Sequence, residues 1–108
     1  MRFKKFLMMS LMTVMFTQWC NVSAYTPHEN GGNRVTASGA IATEGRTCAA
    51  DHLPFGSKVI INGKEYIVED RFGGGYKNRI DIFMESYHDA IQFGRRNMEV
   101  QVVKKNNL

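Results

Sequence analysis

Asn62-Gly63 stands between two runs of strand-forming residues, Lys58-Val59-Ile60-Ile61 and Lys64-Glu65-Tyr66-Ile67-Val68. Both residue types tolerate positive φ. A two-residue type I′ turn needs that at its centre, and its twist matches that of a hairpin. The pair therefore predicts two antiparallel strands in direct succession. The rest of the chain continues in the same manner. Residues 35–39 read as a short strand ending at Gly39, and residues 46–50 as another beginning after Gly45. Leu53-Pro54-Phe55-Gly56 is a turn before the strand at 57–61. Residues 79–83 alternate, with Ile80 and Ile82 on one face and Asp81 and Phe83 on the other. Residues 98–102 alternate again and end the domain on a strand. One short helix is predicted near residues 87–93. Ser86 caps it, with Asp89 three residues on, and Gly94 is its stop. Residues 28–34 are polar and turn-rich and read as a surface loop. Many short strands with one helix indicate a compact barrel or sandwich.

The N-terminus reads differently. Met1-Arg2-Phe3-Lys4-Lys5 is basic, residues 6–16 are apolar and uncharged, and Val22-Ser23-Ala24 ends on a small residue. That order predicts a secretory signal over residues 1–24, cleaved after Ala24, with the domain at 25–108. The competing reading is a short retained anchor, although the run falls short of the ~20 residues that span a bilayer. Bulky Trp19 argues against lipidation at Cys20. Removing 1–24 takes away Arg2, Lys4 and Lys5 and no acidic residue. The 14 Lys+Arg and 10 Asp+Glu of the chain become 11 against 10, so the formal charge of +4 belongs largely to the leader. No basic stripe is left to support nucleic-acid binding. Cys48 then has no partner for an internal disulfide, and it reads as a small hydrophobe. His28, His52 and His88 lack metal-ligand spacing, and no metal or cofactor is called for.

Chemistry is carried by three aspartates. Asp51 precedes the Leu53-Pro54-Phe55-Gly56 turn, Asp70 ends the second hairpin strand, and Asp81 interrupts an apolar strand. If Asp81 faces a groove or the barrel, burial raises its pKa, and a carboxyl so raised can donate a proton near neutral pH. If it faces water it needs no explanation. Asp51 reads equally well as a turn cap, and Asp70 as half of a local pair with Arg71. Gly73-Gly74-Gly75 permits close backbone approach to a ligand, or is a flexible turn.

Thr36-Ala37-Ser38-Gly39, Ala49-Ala50-Asp51, Leu53-Pro54-Phe55-Gly56, Val68-Glu69-Asp70, Gly74-Gly75, Arg79-Ile80-Asp81-Ile82-Phe83 and Phe93-Gly94, in that order, resemble the three-aspartate ("3D") domain family. The resemblance runs from about Tyr25 to Val103. It implies a small, mainly β fold, a six-stranded double-psi β-barrel with one short helix, related to the catalytic domain of MltA and to expansin-like domains. It implies action on peptidoglycan as a lytic transglycosylase, with Asp81 as the catalytic acid and Asp70 supporting it. Asp51, Thr36, Ser38, Gly74 and Lys77 become substrate-side positions, Asp51 being alternatively structural. The implied setting is secreted or cell-envelope, with the glycan strand as partner, no nucleic acid, no membrane after cleavage, and a monomer. A water-using muramidase and a non-catalytic wall-binding module are the alternatives. Relatives carry Asp-Thr-Gly-Gly after the second aspartate where this chain has Asp70-Arg71-Phe72-Gly73-Gly74-Gly75, so the rim of the site is its own.

Overall fold

The computed structural model describes residues 14–105. Its strands are β1 (Val14–Tyr25), β2 (Thr47–Ala49), β3 (Lys58–Ile61), β4 (Lys64–Asp70), β5 (Arg79–Phe83) and β6 (Arg96–Lys104). A short helix, α1 (Tyr87–Phe93), lies between β5 and β6, and a 3-10 turn (Pro27–Asn30) follows β1. The strands close into a barrel in the order β1-β5-β2-β4-β3-β6. β1 runs parallel to β5 and β2 parallel to β4, while the remaining ladders are antiparallel. Closure leaves no open sheet edge. The mainly β architecture, six-stranded barrel and single short helix match the expectation from the sequence.

Alternation fills the barrel. Val22, Val59, Val68, Ile80, Val100 and Val102 are at most 1% exposed and pack with Cys20, Cys48 and Ile82. Each such aliphatic side chain contributes roughly 1.5–3 kcal/mol of burial. Asn62 and Gly63 take φ of 50° and 79°, and Lys58–Ile61 pair antiparallel with Lys64–Ile67, as the type I′ reading requires. Ser86 Oγ accepts from the Asp89 amide at 3.1 Å, and Gly94, at φ 69°, donates its amide to the Ala90 carbonyl and ends the helix. Residues 35–39 differ from expectation. Val35 makes an isolated bridge to Ile41, because Thr36 and Ala40 close a tight turn between them.

β1 occupies residues 14–24 of the stretch that the sequence reading assigns to a leader. It pairs with β6 from Val14 to Val22 and with β5 from Asn21 to Tyr25, and Cys20 and Val22 are fully buried in the core. The point expected for leader cleavage, after Ala24, therefore lies inside a barrel strand. A cut there removes nearly all of β1 and opens the barrel between β5 and β6. Residues 1–13 of the expected leader lie outside the described residues. A cut anywhere between Lys5 and Val14 leaves the same near-neutral charge as one after Ala24, since Arg2, Lys4 and Lys5 all precede Val14. Burial pushes the Cys20 thiol up to about 11 and the Cys48 thiol higher still, with the Glu69 and Asp81 charges adding to the latter. Both thiols are protonated core side chains and poor nucleophiles.

Candidate functional site

β2 lies between β4 and β5, and its residue Ala49 is in register with Asp70 on one side and Asp81 on the other. Across the next ladder Ser23 of β1 stands opposite Asp81. Ser23, Asp81, Ala49 and Asp70 thus form a row over four neighbouring strands. Strands are spaced ~4.8 Å apart, so the two aspartate backbones are separated by roughly 10 Å. The methyl group of Ala49 leaves the space between the carboxylates open. A groove of about 180 Å³ occupies it, lined by Tyr25, Glu29, Ala49, Asp70, Arg71, Phe72 and Asp81.

Asp81 faces this groove and not the barrel interior, because its neighbours Ile80 and Ile82 take the inward positions. Burial pushes its carboxyl above the ordinary carboxylate range. The Ser23 hydroxyl, which donates to Oδ1, and the Arg79 guanidinium act in the opposite direction, while the charge of Glu29 adds to the rise. A half-buried carboxyl raised by burial, one face open to a groove, is placed to deliver a proton and then take one back.

Asp70 is fixed from three sides. Its Oδ2 accepts from the Tyr25 hydroxyl at 2.9 Å, and its Oδ1 accepts from the amides of Ala37 and Arg71, each at 2.9 Å. Desolvation, then the Asp70 charge, raises the Tyr25 phenol far above its usual range, so it remains a donor. Tyr25 is braced edge-to-face on Phe83, with centroids 5.4 Å apart. Asp70 is thus a positioned negative charge in the groove wall.

Asp51 does other work. Its Oδ1 accepts from the amides of Phe72 and Gly73 at 2.7 and 3.0 Å, and its Oδ2 from those of Gly74 and Tyr76, both at 3.1 Å. Modest burial raises its carboxyl, but the backbone amides outweigh this and hold it below its ordinary value. The loop can curl around one carboxylate because Gly73 and Gly75 take φ of 93° and 71°. Asp51 therefore shapes the loop that carries Phe72 to the groove, and does not line the groove itself.

The other expected site residues are distributed around this centre. Thr36 Oγ1 lies 3.0 Å from Ser38 Oγ and donates to the Ala40 carbonyl, while the Ser38 amide bonds the Glu69 carbonyl at 3.1 Å. Their turn presents the Ala37 amide to Asp70. Gly74 belongs to the Asp51 loop. Lys77 is exposed, and its carbonyl accepts from Gln18 Nε2 at 3.0 Å; it does not line the groove. Among the described residues no three His, Cys, Asp or Glu side chains converge as metal ligands do.

The chain is similar to the cell wall-binding protein YocH of Bacillus subtilis (strain 168), 33% identical over 87 residues. The match takes in 75% of this chain and 30% of YocH, so the likeness is to a part of that protein. No family model matches the chain.

Sequence reasoning passed over Ser23, Tyr25 and Glu29. The first fell within the expected leader, and the other two within or beside a segment read as solvent-facing. Glu29 is exposed at the rim of the groove, where its carboxylate accepts from the Thr26 amide at 2.7 Å and closes the 3-10 turn. Glu29 three residues after Thr26, with Pro27 between them, is a capping signal that the sequence did carry.

Proposed function

We propose that this chain is a cell-wall module that takes a peptidoglycan glycan strand into the groove between Asp70 and Asp81 and cleaves it as a lytic transglycosylase. The single observation that supports cleavage is the setting of Asp81: a carboxyl raised by burial, open to a groove, with a second carboxylate two strands away. Asp81 protonates the glycosidic oxygen between N-acetylmuramic acid and N-acetylglucosamine. The bond to the muramyl carbon breaks as an oxocarbenium-like state forms. Asp81, now a carboxylate, takes the proton from the muramyl O6 hydroxyl, whose oxygen closes a 1,6-anhydro ring. Asp70 and Glu29 supply negative charge beside the developing cation. One carboxylate acts twice, so the spacing rule for paired hydrolase carboxylates does not govern the site.

Export to the cell envelope belongs to the same proposal, because the substrate lies outside the membrane. In this proposal any processing falls before Val14, so that the barrel is released with β1 intact.

A second reading follows from the name of YocH, a cell wall-binding protein. On that reading the same groove holds glycan without breaking it. Incubating purified sacculi with the protein and pelleting them separates the two. Soluble muropeptides in the supernatant support cleavage. Sedimentation with the sacculi and no released fragment supports the binding module. A protein that neither sediments nor releases fragments contradicts both.

A further inference from the structure

Arg79 opens β5 two residues before Asp81, so both side chains leave the same face of the strand. Its guanidinium carbon lies 4.8 Å from the ring centroid of Phe72 and 4.9 Å from that of Tyr76. The two rings meet edge to face with centroids 5.6 Å apart, so they form a corner that holds the guanidinium. Phe72 is also a wall of the aspartate groove. Arg79 forms no salt bridge among the described residues, and its Nε is buried with no hydrogen-bond acceptor. The contrast with Arg71 is informative. Arg71 stacks on Phe55 at 3.8 Å, but its guanidinium is already used, donating to the Ala50 carbonyl at 2.8 Å.

A guanidinium pressed against aromatic faces keeps its charge, sheds water and presents its donors as a planar fork. That fork matches a carboxylate, which it can bind with two parallel hydrogen bonds. Leaving such a group with a buried, unsatisfied donor is costly unless a ligand completes it. The Asp51 carboxylate gathers the loop amides from Phe72 to Tyr76, so the aromatic corner is built before any ligand arrives.

We propose that Arg79, held in the corner of Phe72 and Tyr76, is a subsite beside the aspartate groove for the carboxylate of an acidic saccharide. The subsite rests on the glycan-binding reading and names what the groove selects: a glycan bearing a carboxylate, on the sugar or on its peptide, over a neutral glycan of the same length.

Calorimetric titration of the full chain tests this with four probes: a muramyl tetrasaccharide with free lactyl carboxylates, its methyl ester, a stem-peptide-bearing fragment and chitotetraose. The wild type should bind one of the two carboxylate-bearing probes about tenfold or more tightly than the ester and chitotetraose. Preference for the free lactyl saccharide assigns the carboxylate to the sugar, and preference for the stem-bearing fragment alone assigns it to the peptide. Arg79→Gln should bind all four equally, and Arg79→Lys should recover part of the preference. The ester arm uses unaltered protein, so it stands even if a variant misfolds. An ester and a chitotetraose bound as tightly as both carboxylate-bearing probes, or a preference retained in folded Arg79→Gln, overturns the subsite while leaving glycan binding intact. Failure to bind any probe, chitotetraose included, overturns the glycan reading together with the subsite.

Discussion

The Ser23 hydroxyl of β1 donates to the Asp81 carboxylate of β5. It joins the first barrel strand to the candidate acid. The bond favours the charged form of Asp81 and so opposes the rise that burial imposes. Ser23→Ala removes the opposing influence, and the Asp81 carboxyl moves further up. A general acid loses activity as pH rises through its pKa, so the alkaline limb of the pH–rate profile moves to higher pH. A limb that stays in place, or moves lower, contradicts this coupling.

The same strand makes the start of the domain testable. Cys20 and Val22 are core residues, and β1 separates β5 from β6. A chain starting at Tyr25 leaves both neighbours with unpaired ladder groups and an empty core position. It should show no cooperative thermal transition by circular dichroism, whereas a chain starting at Val14 should unfold cooperatively. A sharp transition in the shorter chain would show that β1 is dispensable.

Asp51→Ala tests whether that residue organises the loop. Its carboxylate accepts from four loop amides. Hydrogen bonds to a charged group are worth more than neutral ones, but solvent at this site weakens them, and a net loss of about 1–2 kcal/mol is expected. Hydrogen exchange at the amides of residues 72–76 should accelerate while the barrel amides stay protected. Unchanged exchange there would remove the structural role.

The raised carboxyl of Asp81 also has a stability signature. The folded state holds a proton that the unfolded chain releases near the ordinary value of 3.8. The stability it contributes is fully present below that value and is lost as pH rises through the folded pKa. Asp81→Asn abolishes the titration. The variant should match wild type in acid and melt at a higher temperature at neutral pH. A gap of the same size at both pH values would indicate that Asp81 has no raised pKa.

The barrel was largely legible because its signals are local. Asn62-Gly63 set the hairpin, period-2 alternation set β5 and β6, and Ser86 with Gly94 bounded α1. β1 was not legible. Its residues 14–24 fall in the stretch that reads as a leader, and its first four positions are all exposed, so no inward–outward alternation marks where the strand begins. That ambiguity concealed Ser23. The site was legible in its parts but not in its assembly. Asp81 stood out as a charge within an apolar strand, yet its adjacency to Ser23 and, through Ala49, to Asp70 comes from ladders whose partners lie far apart in sequence. Asp51 illustrates the opposite limit: the sequence marked the residue, but only the curl of the glycine loop shows what its oxygens accept.

The central claim is that Asp81 acts as acid and then base on a glycan bond. It is tested most directly by mass spectrometry of the fragments released from purified sacculi by wild type and by Asp81→Asn. The account predicts fragments ending in 1,6-anhydromuramyl residues from wild type and their loss, by orders of magnitude, from the variant. Fragments with reducing ends, equal yields from both proteins, or no fragments from wild type would contradict it.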